Sequence, residues 1–282
     1  MSVRSLRYSD LSLRLPKGTS ALPIERDAWA FLDAAGITSA LQQRAVVQLV
    51  RDLKKAQLWT KMEAVYPFVG GTATTHKWNL KNPSDTNDAY RLTFSGGLTH
   101  NSNGITGNGT NGYINTNYNA SNSSASSWHR MVYSRNAAGI AGIEIGSVHG
   151  NSATNTFRAT SIACRFSDGT AYFANGAYNP NDTSSYVNSD GSGLYISSRT
   201  ATDAFAAYRN ATSVATTTQT GQSFETRPEY ALARNNDSQN RPAFYSSRNI
   251  AFVSLGSGLT AFDVSLYVDV VNRYQKTLGR AV

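Results

Sequence analysis

Apolar and polar positions follow three different rhythms along this chain. Near the N-terminus, Leu11-Ser-Leu13-Arg-Leu15 alternates with the period of a strand, and Pro16, Gly18 and Pro23 stop it. Residues 1–24 therefore read as an extended arm. A lone strand cannot bury its apolar face, so the arm either joins the chain's own sheets or pairs with a neighbouring subunit. Leu11, Leu13 and Leu15 are the candidate assembly contacts.

The rhythm then becomes helical. Residues 25–35 predict a short helix with Gly36 as its C-terminal cap. Residues 39–57 predict a second helix, with Ser39 as N-cap and Gln42 completing a capping box. Ala45/Val46, Leu49/Val50 and Leu53 recur at the spacing of an amphipathic face, and Arg51, Lys54 and Lys55 fall largely off it. The two helices form a hairpin over 25–59 that must rest on something apolar.

From Met62 the texture changes to short Tyr-, Phe-, Ile- and Val-rich runs separated by Gly, Asn, Ser and Thr. The predicted strands are 64–69, 90–94, 112–115, 129–134, 142–145, 157–166, 171–173, 193–198, 205–209, 230–234 and 250–255. Short strands at this spacing predict a mainly β sandwich or barrel over about 60–257. The helices that a parallel α/β sheet needs have no room. A final helix is predicted over 261–278, capped by Thr260 and Asp263 and ended by Gly279. Phe262, Leu266/Tyr267, Val270/Val271, Tyr274 and Leu278 form its apolar stripe, which packs on the hairpin or the sandwich.

Composition supports this picture. Only 16% of the 282 residues are charged, and Asn, Ser, Thr, Gly and 15 Tyr take their place. That mix suits a sandwich with a neutral, amide- and hydroxyl-rich surface. The net charge is +8, but the basic residues are spread. The denser spots are Arg4, Arg7, Arg14 and Lys17, then Arg51, Lys54 and Lys55, then Lys276 and Arg280, all read as solvated faces. This distribution argues against a nucleic-acid partner. Residues 1–24 lack the apolar core of a secretory signal, and no run is long and apolar enough for membrane insertion.

Candidate chemistry is sparse. Cys164 is the single cysteine, in a strand-like run where it reads as a small apolar group. His76, His100, His129 and His149 show no metal-ligand spacing. Glycoside hydrolysis needs two carboxylates about 5–9.5 Å apart, and in a sandwich these often share one strand face. Glu144 stands alone, Asp168, Asp182 and Asp190 sit in turn contexts, and Glu225 and Glu229 straddle Pro228. All read as turn or surface acids. Ser257 lacks a nucleophile elbow, and 104–109 reads as a turn run rather than a phosphate loop. No catalytic residue, cofactor or metal site is nominated. Asp85 to Asp88 and Asn235 to Ser238 have oxygen ligands suited to Ca²⁺, though both also fit ordinary Asx turns. Tyr113, Tyr118, Trp128, Tyr172, Tyr178, Tyr186 and Tyr195 are candidate sugar-stacking rings, or simply sheet cover.

Leu58 to Gly71, His76 to Lys81, Tyr90 to Gly97 and Asn108 to Tyr113 carry a resemblance, together with the helical lead-in and the closing helix. Over most of 25–282 the chain resembles bacteriophage virion structural and tail-fibre proteins with a concanavalin A-like (laminin G-like) jelly-roll. The resemblance implies an antiparallel two-sheet jelly-roll and a non-enzymatic virion component, made in the host cytoplasm and repeated in symmetric copies among other virion proteins. The arm and helices would dock it and the sandwich would be displayed. The alternative is a carbohydrate-binding module for host-surface glycans. A glycan depolymerase is disfavoured by the missing carboxylate pair.

Overall fold

The computed structural model describes residues 23–178, 182–236 and 239–282; Leu11, Leu13 and Leu15 lie outside them. The chain opens with α1 (Pro23–Ala35) and α2 (Ala40–Lys55), then β1 (Met62–Tyr66) and the single turn α3 (Ala73–His76). The strands β2 (Thr93–Ser95), β3 (Thr99–Asn101), β4 (Gly104–Thr106), β5 (Tyr113–Asn119) and β6 (Trp128–Ser134) follow. Next come the short β7 (Ile145–Gly146), β8 (Val148–His149), β9 (Arg158–Ala159) and β10 (Ile162–Ala163), then β11 (Thr170–Ala174) and β12 (Thr183–Val187). β13 (Gly193–Ala201), β14 (Ala204–Arg209) and β15 (Thr212–Thr217) form a meander. β16 (Pro228–Ala231), β17 (Arg234–Asn235), β18 (Pro242–Ala243) and β19 (Asn249–Gly256) lead to α4 (Ala261–Thr277).

The strands build an antiparallel two-sheet jelly-roll sandwich. An eight-stranded sheet has the order β15-β14-β13-β6-β19-β4-β3, with β1 also paired to β19. A seven-stranded sheet has the order β12-β11-β10-β7-β16-β5-β2. All the helices of two turns or more lie on the eight-stranded sheet, here called the covered sheet. The seven-stranded sheet is the open one.

The covering layer forms as its periodicity predicts. Ala28, Phe31, Leu32 and Ala35 of α1 and Ala45, Val46, Leu49, Val50 and Leu53 of α2 are buried. They pack with α4 on Met131, Tyr133, Leu194, Ile196, Ala251 and Phe252, the outward residues of β6, β13 and β19. The Val, Leu, Ile, Phe and Met side chains among them each contribute about 1.5–3 kcal/mol on burial. The Ser39 hydroxyl accepts from the Gln42 N–H (3.5 Å), while the amide of Gln43, not Gln42, reaches back to the Ile37 carbonyl (2.8 Å). Thr260 and Asp263 form the full reciprocal box at α4. The face of α4 begins at Val264, further round the helix than the sequence stripe, and Phe262 is left 73% exposed. Arg280 is not solvated: its buried guanidinium donates to the Pro67, Phe68 and Ala251 carbonyls (2.7, 2.8 and 3.1 Å), fastening the end of the chain.

Between the sheets the core mixes apolar packing with two buried ion pairs. Val132, Ile145, Ile162, Phe173, Tyr195 and Val253 belong to its apolar part. Arg130 of β6 donates to Glu229 Oε1 of β16 through Nε and Nη2 (2.9 and 2.7 Å). Arg248, just before β19, faces Glu144, just before β7 (3.2 Å). Glu144 also accepts from the Ser246 hydroxyl and the Cys164 N–H (both 2.7 Å). Glu144 and Glu229 are thus core residues, not turn or surface acids, and Glu229 lies on a strand rather than in a loop. Their partners come from the opposite sheet, so nothing local in the sequence marks them.

Strands β3, β12 and β15 have no counterpart among the predicted ones. They are outermost in the sheet order and largely exposed, with Thr-, Ser- and Asn-rich sequences that carry no buried alternation. Residues 104–106, read as a turn run, form β4 against β19.

Candidate functional site

The outer face of the open sheet carries a groove of about 270 Å³. Its shape follows from alternation on β10 and β11. Ile162, Ala171 and Phe173 point between the sheets, so Ala163 and Tyr172, paired across the ladder, point out. Ala159, Ala163 and Ala174 give a floor of small side chains. A flat floor under taller rims is what leaves room for a ligand.

One rim is the β10–β11 turn. Residues 166–170 read Phe-Ser-Asp-Gly-Thr, and Gly169 supplies the left-handed residue (φ 82°) that the turn requires. Asp168 Oδ1 accepts from the Thr170 N–H (2.8 Å), and the Tyr172 hydroxyl donates to Asp168 Oδ2 (2.6 Å). These two bonds hold the Asp168 carboxyl below the usual range, the tyrosine contact foremost. Phe166 meets Tyr172 edge to face at 6.1 Å.

The other rim is the β17–β18 ladder, where Arg234 pairs with Ala243. Phe244 follows at φ 54°, a conformation rare for an aromatic residue, and its carbonyl accepts from the Ile143 N–H (2.9 Å). Its ring is 47% exposed. The Arg234 guanidinium lies over that ring at 4.5 Å and donates to Asn236 Oδ1 through Nε and Nη2 (3.1 and 2.6 Å). Burial pulls Arg234 down to about 10, with Asp182 opposing. Burial pushes the Asp182 carboxyl up, and Arg234 opposes that shift. The groove therefore offers aromatic rings, an oriented guanidinium and two carboxylates above an apolar floor.

Of the sequence-nominated rings, only Tyr172 lines the groove. Tyr118, Trp128 and Tyr195 are buried in the sandwich, and Tyr186 packs against that core. Tyr178, 39% exposed, lies beside Arg158 (5.5 Å). Tyr113 lies tilted against Tyr230 (4.8 Å). The sequence reading missed Phe166, Arg234 and Phe244, and it set Asp168 and Asp182 apart. The Asp168-Gly169 turn between two aromatic-containing strands was the available signal.

Several of the proposed calcium ligands are otherwise engaged. Asp85 binds Lys77 (2.7 Å) and Arg91 (3.0 Å). Asn235 donates to the Pro228 carbonyl (3.0 Å) and Asn236 holds Arg234, while Asp237 and Ser238 lie outside the described residues. Among the described residues no three His, Cys, Asp or Glu side chains cluster as a metal site.

No protein-family model matches this chain, and no curated protein matches it in sequence. Solved structures match in fold. Domain 4 of AbnA, an extracellular arabinanase of Geobacillus stearothermophilus, solved with arabinotriose, superposes with a TM-score of 0.50 at 15% identity. The match covers 75% of this chain and 98% of that domain. A botulinum neurotoxin type C structure, from work on cell entry dependent on two ganglioside molecules, also gives 0.50, at 11% identity. That match covers 77% of this chain and 53% of the toxin chain, so this protein spans about half its length. Both are likenesses of fold: a β-sandwich shared with these domains.

Proposed function

We propose that this protein is a non-catalytic glycan-binding sandwich, and that the groove between Tyr172 and Phe244 is its sugar site. The observation that carries the proposal is the groove itself, which sits on the sheet face that no helix of the described residues covers. Sugars present C–H faces and hydroxyl edges. Phe166, Tyr172 and Phe244 supply rings for the first, and Asp168, Asp182, Thr183 and Arg234 supply polar partners for the second. Two carboxylates against one guanidinium favour a neutral sugar over an acidic one. A sandwich of this fold solved with arabinotriose supports the reading.

A glycan array with the full chain, repeated with Phe244→Ala and Tyr172→Ala, tests it. Binding by the parent protein that both variants lose is the expected result. Equal binding by all three would remove the groove from the reading. Release of reducing ends, lost in Asp168→Asn and Asp182→Asn, would replace binding with hydrolysis.

We further propose a bacteriophage particle as the setting, with the open face outward and residues 1–24 among the docking elements. The resemblance over 25–282 supports this. Mass spectrometry of purified particles tests it: recovery in the particle fraction is expected, and recovery only in the lysate would count against it.

A further inference from the structure

The open sheet holds a second concavity, of about 420 Å³, beside the start of β16 and the end of β5. Asn87, Asn117, Asn119 and Asn122 line it with Asp88 and Tyr90. Tyr90 (φ 58°) and Asn117 (φ 55°) both sit in the left-handed region, costly for a side chain as bulky as tyrosine. Hydrogen bonds hold them there. The Tyr90 N–H donates to the Asn87 carbonyl (2.9 Å), and Asn122 Nδ2 donates to the Tyr90 hydroxyl (3.0 Å). Asn117 Nδ2 donates to the Arg91 carbonyl (2.6 Å). No lysine or arginine is among the lining residues.

Strand β5 joins this basin to the groove. Its alternation turns Ile114, Thr116 and Tyr118 inward and leaves Tyr113, Asn115, Asn117 and Asn119 on the outer face. The register sets Asn119 opposite Pro228 at the basin end and Asn115 opposite Tyr230 further along. Tyr113 then lies tilted against the buried Tyr230 (4.8 Å) and faces Tyr245 (6.4 Å), the neighbour of Phe244 on the groove rim, so the half-buried Tyr113 and Tyr245 are the rings that form the ridge between basin and groove. At about 3.3 Å per residue, β5 alone carries this path over about 20 Å.

We propose that groove, tyrosine ridge and amide basin form one track for an extended neutral glycan, bound along its length rather than by a chain end. This rests on the groove being a sugar site and adds the length and charge class of the ligand. Asparagine side chains offer both donors and acceptors to hydroxyls. The arginine at its edge, Arg91, already donates to Asp85 Oδ1 (3.0 Å) and Asn87 Oδ1 (2.9 Å), and Asp88 stands at the wall, so the basin disfavours acidic sugars.

Calorimetry on the full chain tests the track, using the tri- and hexasaccharides of the arabino-, xylo-, cello- and manno- series. Asn119→Ala and, independently, Asn122→Ala alter the basin, Phe244→Ala alters the groove, and thermal melting by circular dichroism checks folding. In the series that binds, the hexasaccharide should bind at least tenfold tighter than the trisaccharide. Each folded basin variant should erase most of that advantage and leave the trisaccharide unchanged, while Phe244→Ala weakens both. Equal affinity for the two lengths, or an advantage that survives both basin variants, overturns the track and leaves the groove standing. Binding of neither length in any series overturns the groove reading and the track with it.

Discussion

The two outer faces of this sandwich are treated in opposite ways. On the covered sheet, β6 and β19 are buried along their whole length, because α1, α2 and α4 lie on one side and the second sheet on the other. On the open sheet, β5 and β11 alternate, and what faces outward is Tyr, Asn and Thr, with Ala174 in the groove floor. The helices make one face a core. The other face must stay compatible with water, and it does so with amides, hydroxyls and half-exposed rings. On the proposed reading, stability and recognition are thereby separated: side chains that hold the fold lie on one side of the open sheet and those of the candidate groove lie on the other.

Substitutions can break or sharpen this division. The largest effects belong under the helices and between the sheets. Phe252→Ala should cost about 3–5 kcal/mol in urea unfolding and leave the affinity of the folded protein unchanged. Arg130→Met strands Glu229 without its partner and should cost about as much, 3–5 kcal/mol, while Arg130→Met combined with Glu229→Leu should recover most of it. If the single and double variants lose equal stability, the arginine contributes packing rather than charge.

A pH effect of roughly 3 kcal/mol is expected from His129 beneath α4. Its Nδ1 lies 2.7 Å from the Ser257 carbonyl, which only accepts, so Nδ1 carries the proton. Nε2 then accepts from the Ser254 hydroxyl (3.1 Å), which in turn accepts from Tyr267 (2.8 Å). Burial pulls His129 down to about 4. The unfolded chain takes up this proton near the ordinary histidine value and the folded chain does not. Its contribution is therefore present above about 6.5 and lost as pH falls toward 4. Unfolding free energies from pH 7 to pH 4 check this, and His129→Asn should flatten the decline. His76 and His149, both pulled by burial to about 3, add slopes of the same sign.

The smallest stability effect should come from the open face. Phe244→Ala removes a half-exposed ring and its contact with Arg234, which together are expected to cost under about 1 kcal/mol. The same variant should strongly weaken glycan binding. A large loss of stability here would join the groove to the core and undo the division.

The sequence was informative where burial is periodic and mute where partners are distant. α1, α2, α4 and the central strands β6, β13 and β19 were legible because their apolar spacing is local. Edge strands β12 and β15 were not, since their inward faces are only half-buried and the strands are built mostly of Ser, Thr and Ala, which leaves little apolar alternation to read. Glu144 and Glu229 looked like surface acids because their arginines come from the other sheet. Among the aromatic residues, composition nominated candidates but could not say which side of a strand each would occupy. Trp128 and Tyr195 turned inward and Tyr172 outward. Phe244 and Arg234 were invisible because the two-residue strands β17 and β18 place them against β10 and β11 only in three dimensions.

A crystal structure of the full chain with a bound neutral oligosaccharide bears most directly on the groove. Sugar density between Tyr172 and Phe244, with a hydroxyl hydrogen-bonded to Asp168 or Arg234, is the predicted result. Density on the helical face, or an empty groove in crystals of a protein that binds the same sugar in solution, would contradict it.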